Sequence, residues 1–193
     1  MTEKPCVDVA LVHAPVVNRN GEVIGSAVTN LDLHDIARAC KTFGVDTYWL
    51  VSPFERQQIL SRQIVDHWLT GHGRIANPDR GEALSLIRIC AGLDEAIANG
   101  RKKWGGSLRV VATCARPRPD TIAYARLRQQ IHTGRPVLLV FGTAWGLAPE
   151  VFEKVQVTLP PICGAGRYNH LSVRSAAAIV LDRLLGCKDG KPV

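Results

Sequence analysis

The stretch Leu159-Pro-Pro-Ile-Cys-Gly-Ala-Gly-Arg-Tyr-Asn-His-Leu-Ser-Val-Arg-Ser-Ala-Ala-Ala-Ile-Val-Leu-Asp-Arg-Leu-Leu-Gly186 joins two kinds of structure. Its first half, residues 160–169, cannot be a regular element. Pro160 and Pro161 lack the amide hydrogen a ladder needs, and Gly164 and Gly166 admit backbone angles closed to other residues. Its second half is helical in pattern. Val173, Ala176, Ala177, Val180, Leu181 and Leu184 recur at helical spacing, and Gly186 stands at the expected C-terminal cap. A strand ending at Leu159 therefore feeds a bent loop and then a helix with a small-residue face. Loops of that kind, held by rigid neighbours, are where binding sites form.

Working outward, strand and helix patterns alternate. Val7 to Val12, Tyr48 to Val51, Ser85 to Cys90, Leu108 to Thr113, Pro136 to Phe141 and Val155 to Leu159 read as strands. Pro136 to Phe141 is the most apolar, as an inner parallel strand should be. Residues 30–44, 54–69, 93–104, 121–132 and the short 149–152 read as helices. In the first of these, Asn30 or Asp32 is a candidate cap, Gly44 marks the end, and Arg38 lies off the apolar stripe. Residues 16–29, with Asn20-Gly21, read as a long loop or loose hairpin. Residues 71–73 read as a helix break and 77–81 as a loop. The alternation predicts an α/β fold with a mostly parallel sheet flanked by helices. In such sheets the ligand crevice lies at the carboxyl ends of strands. Three loops follow strand ends and are equipped for it: Thr113–Asp120, Gly142–Leu147 and Pro160–Asn169.

The bulk properties bound the reading. A chain of 193 residues with 46% hydrophobic and 21% charged residues is an ordinary globular composition, and one domain over 1–193 is expected. No apolar run reaches the length of a membrane span, and the N-terminus lacks a signal-peptide stretch, so a soluble cytoplasmic protein is expected. Lys and Arg (24) exceed Asp and Glu (17), which favours polyanion partners. Arg116 and Arg118 share one loop, Arg101, Lys102 and Lys103 another segment, and Arg167 and Arg174 flank the Tyr168–Val173 motif of the opening stretch. The six cysteines form no Cys-x-x-Cys pair, so no metal site is expected and small buried hydrophobes with reduced thiols are. The chain also lacks the phosphate-cradling Gly-x-x-x-x-Gly-Lys-Ser/Thr loop, the dinucleotide Gly-x-Gly-x-x-Gly, the Gly-x-Ser-x-Gly elbow and His-x-x-x-His.

Three ordered stretches resemble the motifs of the SPOUT (α/β-knot) methyltransferases. Asn30, Arg38 and Phe43-Gly44 match the first motif, Val140-Phe-Gly-Thr-Ala-Trp-Gly-Leu147 the second, and Tyr168-Asn-His-Leu-Ser-Val173 with Ser175-Ala-Ala-Ala178 the third. Thr113-Cys-Ala-Arg116 is similar to the first cofactor-side loop of one subgroup. The resemblance covers nearly the whole chain and is strongest to a small group of RNA methyltransferases related to the tRNA guanine-N1 enzymes. Two departures stand out: Ala144-Trp145 where the family commonly has Glu, and Asn169-His170 where many relatives have Leu-Asn.

The resemblance implies a C-terminal trefoil knot, S-adenosylmethionine as cofactor, an RNA substrate (tRNA or rRNA), and a homodimer formed through the knot and the last helix. It implies a cofactor pocket of Thr113, Cys114, Ala115, Phe141, Gly142, Thr143, Gly146, Leu147, Leu159, Pro160, Ile162, Leu171 and Ser172, with Arg38, Asn169 and His170 as catalytic residues. In family dimers the matching Arg reaches the partner's site. A neutral His170 could accept a proton near pH 7; it could equally cap the helix or hydrogen-bond the loop. Two other readings are open at this stage: an RNA-binding module of the same fold that has lost catalysis, and a metabolic α/β enzyme for a small anionic substrate.

Overall fold

A computed structural model describes residues 4–166 and 168–187. Arg167, one of the basic residues flanking the Tyr168–Val173 motif, lies outside the described residues, as does the start of the N-terminus.

Six strands form one sheet: β1 (Val7–Val12), β4 (Thr47–Val51), β5 (Ile87–Cys90), β6 (Arg109–Ala112), β7 (Val137–Gly142) and β8 (Val157–Thr158). The spatial order is β5-β4-β1-β7-β6-β8, and every pairing in it is parallel. A separate antiparallel pair, β2 (Val16–Val17) with β3 (Val23–Ile24), forms the hairpin suggested by Asn20-Gly21, with Gly21 at φ 83°. The order reverses between β1 and β7, where Val12 sits opposite Gly142. Their carboxyl ends are therefore level at the switch point, where an open parallel sheet leaves its crevice.

Both faces of the sheet are covered, which explains the nearly unbroken apolar strands. Successive side chains alternate between two cores. Val7, Val9 and Leu11 of β1 and Val137, Leu139 and Phe141 of β7 join one core with helices α1 (Asn30–Thr42), α2 (Glu55–Leu69), α6 (Tyr124–His132) and α8 (Val173–Leu185). Ala10, Val12, Leu138 and Val140 join the other, closed by α5 (Leu93–Lys103) and Val151 of the short α7 (Pro149–Phe152).

Several boundaries differ from the sequence reading. Thr29, rather than Asn30 or Asp32, caps α1, because its hydroxyl can accept from the Asp32 amide. Residues 71–81 are not broken chain: α3 (His72–Ala76) and α4 (Pro78–Leu84) occupy them. Asn77 accepts from the Arg80 amide as N-cap and Pro78 fills the first turn, where its missing N–H costs nothing. Helix α6 begins at Tyr124 rather than Thr121, because Thr121 bridges to Thr158 and the Ile122 amide donates to the Thr158 carbonyl. Burial of the cysteines is also uneven. Cys40 and Cys90 are buried, while Cys163 and Cys187 are exposed. Burial pushes the Cys40 thiol far up and the Cys90 thiol up to about 12, so both are inert.

One charge sits inside the second core. Asp8 interrupts β1, is fully buried, and accepts from Lys103 Nζ at 2.8 and 2.9 Å and from Trp49 Nε1 at 3.1 Å. Burial raises its carboxyl above the ordinary value, against the lowering effect of Lys103 and Trp49. A buried carboxylate stripped of its cation is costly. Lys103→Met should therefore destabilise the protein by up to about 3 kcal/mol near neutral pH, and Lys103→Met with Asp8→Asn should recover most of that. A raised folded-state value means the folded protein holds a proton the unfolded chain has released. The Lys103→Met deficit should accordingly shrink at pH 4 and grow as pH rises, as read by urea unfolding across that range.

Candidate active site

The loops that follow β1, β6, β7 and β8 meet at the carboxyl edge of the sheet and enclose one cavity of about 1130 Å³. Cavities of this order hold a cofactor and part of a second molecule. All three loops singled out in the sequence line it, and the 13–29 segment supplies a fourth side.

The 142–147 loop is tightly specified. A Cβ on Gly142 would fall 2.7 Å from the Leu147 amide nitrogen and 3.0 Å from the Gly146 carbonyl carbon, so only glycine fits. Gly146 has φ 116° and Ala144 has φ 51°, a left-handed conformation that costs a non-glycine residue of order 1 kcal/mol. The strain is held by neighbours. The Gly146 amide donates to the Thr143 carbonyl, the Trp145 amide to Val17, and the Val17 amide to Gly146, at 2.9–3.0 Å. The β2–β3 hairpin thus zips onto this loop.

At the other end of the cavity, α8 starts from a proper cap. Ser172 Oγ accepts from the Ser175 amide. Arg174 then reaches to α1: Nη1 donates to Asp32 Oδ1 at 3.1 Å and Nε lies 3.3 Å from Asp35 Oδ2. Asp32, 4% exposed, also accepts from Thr29 Oγ1 at 2.6 Å. Asn169 Nδ2 donates to the Ala115 carbonyl at 3.0 Å and so ties the 160–172 loop to the 113–118 loop.

A polar chain lies beside this cluster. His13 is fully buried; its Nδ1 is 3.2 Å from Ser26 Oγ, and Ser26 shares a short hydrogen bond with Thr143, which donates to the Val12 carbonyl. Ser26 and Thr143 line the cavity; His13 backs them.

Most residues expected from the resemblance do line this cavity. Thr113, Cys114, Ala115, Phe141, Gly142, Thr143, Gly146, Leu147, Pro160, Ile162, Asn169, His170, Leu171 and Ser172 all do. Two do not. Leu159 is 1% exposed and belongs to the core, because its amide continues the ladder by donating to Ala112 and alternation turns its side chain inward. Arg38 is exposed and lies in a separate polar groove with Lys41, Asp79, Arg80 and Glu82. Six residues along a helix of 3.6 per turn place it roughly 120° around α1 from Asp32. Asp32, Arg174, Ser26 and Thr29 were not singled out as site residues. The first signal for them was Thr29-x-x-Asp32 ahead of an apolar run, the pattern of a capping box.

Burial lowers the His13 imidazole below its ordinary 6.5, opposed by Asp32, so it is neutral at pH 7; burial lowers His34 likewise. A depressed folded-state value means the unfolded chain takes up the proton first. Stability should therefore fall as pH drops below 6.5, and His13→Gln should flatten that fall when urea midpoints at pH 7.5 and 5 are compared.

The family model described as SAM-dependent RNA methyltransferase matches residues 6–186. A tRNA (guanine-N(1)-)-methyltransferase from Oleidesulfovibrio alaskensis is 46% identical over 177 residues, which is 92% of this chain but 41% of that protein. The chain thus spans about two-fifths of that relative's length. An uncharacterised protein from Aquifex aeolicus is 41% identical over 92% of this chain and 87% of its own. Among solved structures, the SpoU methyltransferase AviRb from Streptomyces viridochromogenes, in complex with AdoMet, superposes with a TM-score of 0.59 at 16% identity, covering 92% of this chain and 56% of that one. That likeness shows the fold. With the family matched along nearly the whole chain, this protein belongs to the SAM-dependent RNA methyltransferases.

Proposed function

We propose that the protein binds S-adenosylmethionine in the cavity at the β1–β7 switch point and transfers its methyl group to tRNA. The observation that carries this is the convergence of the 113–118, 142–147 and 160–172 loops on one cavity. The residues suit the cofactor. Pro160, Ile162, Leu147 and Leu171 offer an apolar slot for an adenine, while Thr113, Thr143 and Ser172 offer hydroxyls. The Asp32 carboxylate, paired with Arg174, lines the same cavity and adds a polar wall to it. The bound cofactor would supply an electrophilic methyl on sulfur. What the chain contributes is positioning and in-line alignment, the main requirement of such a displacement. The strained, doubly anchored Gly142–Leu147 loop provides the rigid side of that alignment. An RNA nucleophile that carries a proton must release it as the new bond to carbon forms. The cavity offers three routes for that proton: the Asp32 carboxylate, His170, and Ser26 if it passes its own proton to the neutral His13 imidazole.

The tRNA assignment rests on the activity for which the Oleidesulfovibrio relative is named. Isothermal calorimetry should show S-adenosylmethionine binding, and labelled methyl should appear in tRNA rather than rRNA. Comparison of modified nucleosides with and without the gene then gives the methylated atom. Absence of cofactor binding at high micromolar concentration would assign the protein to RNA binding without catalysis.

The active form we propose is a cytoplasmic homodimer, with the chain after β8 threaded as a trefoil knot as in the SPOUT class. One observation supports pairing. Ser175 is exposed and Ala176 and Ala178 of α8 are half-buried, which permits close approach of a second backbone. Arg38 is outside its own chain's cavity, so a catalytic role for it requires a partner's site. Arg suits that role through its planar fork. Arg38→Ala should keep the melting temperature and cofactor affinity while lowering turnover about a hundredfold, the scale of one lost charge-stabilising donor. Wild-type turnover in that variant, or a stable monomer in light scattering at micromolar concentration, would sink the cross-subunit assignment.

A further inference from the structure

The cavity mouth carries large apolar side chains that the fold leaves outside. Trp145 is 50% exposed, Tyr168 81% and Leu171 45%. They are not scattered. The Trp145 and His170 ring centroids are 5.7 Å apart at 38°, and Tyr168 meets His170 edge-on at 6.4 Å. Single exposed apolar residues are ordinary, but a contiguous aromatic group beside a cavity marks a binding surface.

The backbone under Trp145 is not loose. The Trp145 amide donates to Val17 at 3.0 Å, its neighbour Gly146 is bonded on both sides, and left-handed Ala144 precedes it. The ring is therefore half exposed on a pinned backbone. Beside it, the Asn169–Ala115 hydrogen bond draws the His170 segment against the loop bearing Arg116 and Arg118. Both arginines are exposed and line the same cavity, and the Arg118 guanidinium lies 3.7 Å over the Phe152 ring, which orients it. Flat rings next to cations match an unpaired nucleotide: bases stack on aromatic faces and phosphates meet the guanidinium groups.

We propose that Trp145, His170 and Tyr168 form a stacking platform for an unpaired RNA base at the mouth of the cavity, with Arg116 and Arg118 holding the adjoining phosphates. This rests on the RNA methyltransferase reading above. The platform tolerates any base, since every base has a π-face, and so selects unpaired RNA rather than a sequence.

The test measures equilibrium binding of the full chain to unfractionated tRNA and to a stem–loop RNA with an unpaired loop, over a salt series. Trp145→Ala and Tyr168→Ala should each weaken binding about tenfold or more, with Trp145→Phe near wild type. Their salt slopes should match wild type, because no phosphate contact is lost, whereas Arg116→Ala and Arg118→Ala should each lower the slope by about one. Cofactor affinity in Tyr168→Ala should be unchanged. Wild-type protein that binds RNA while Trp145→Ala binds equally well overturns the platform and leaves the methyltransferase reading intact. Wild-type protein that binds no RNA overturns both. A Trp145→Ala protein that changes oligomeric size in light scattering overturns the platform in favour of a subunit contact.

Discussion

The parallel pairing of β1 with β7 is the constraint on which the rest depends. It joins residues 7–12 to residues 137–142, two segments separated by most of the chain. Strand β1 pairs on its other side with β4, and β7 with β6, so the first part of the chain builds one half of the sheet and the later part the other. Closing such a distant contact is entropically expensive and is repaid by two faces of apolar packing. Its consequence is local. Val12 and Gly142 end up side by side, and the segments that leave them, 13–29 and 143–147, face one cavity. The hairpin then bonds to the 143–147 loop and holds Ala144 in its strained conformation.

The second tie is between the first and last helices. Surface ion pairs such as Lys41–Glu82 contribute little in water. The Arg174–Asp32 contact differs, because Asp32 is nearly buried and its other oxygen is taken by Thr29. One residue thereby bonds the cap of α1, receives α8 and lines the cavity. At the far end of α8, Arg128 donates to the Arg183 and Gly186 carbonyls and secures the terminus against α6. Residues 168–172 are consequently delivered to the site between two fixed points.

A pinned loop suits methyl transfer, which demands alignment more than strong acid or base. It also accounts for the glycines that matter. Gly142 is needed because Leu147 folds back against it, and Gly146 because its φ is left-handed. The exposed aromatic rim is the complementary feature: rigid in its backbone and open on its face.

Much of this was legible in the residues. Short, nearly unbroken apolar runs marked the strands, and the Pro/Gly stretch 160–166 with its following 3.6-period stripe marked the loop and the last helix. The strand-end rule named the loops that line the cavity. Local chemistry misled where two signals competed: Asn77-Pro78 reads as a turn, yet the same pair is an N-cap and first-turn residue when a helix follows. What sequence could not show is which side chain faces what. Leu159 and Ile162 are both apolar residues beside the same loop; the Leu159 amide extends the sheet and its side chain turns into the core, while Ile162 lines the cavity. Arg38 and Arg174 are both helix arginines near motif residues, and only the rotation of each helix sends Arg174 to Asp32 and Arg38 to a separate groove. Periodicity depends on neighbours along the chain, so sequence by itself determined the sheet strands, the longer helices, their order and the loops of the site, but not the short helices α3 and α4. Orientation and exposure depend on neighbours across space, so only the tertiary structure decided that Asp32 and Ser26 belong to the cavity and that Trp145 is left half exposed at its mouth.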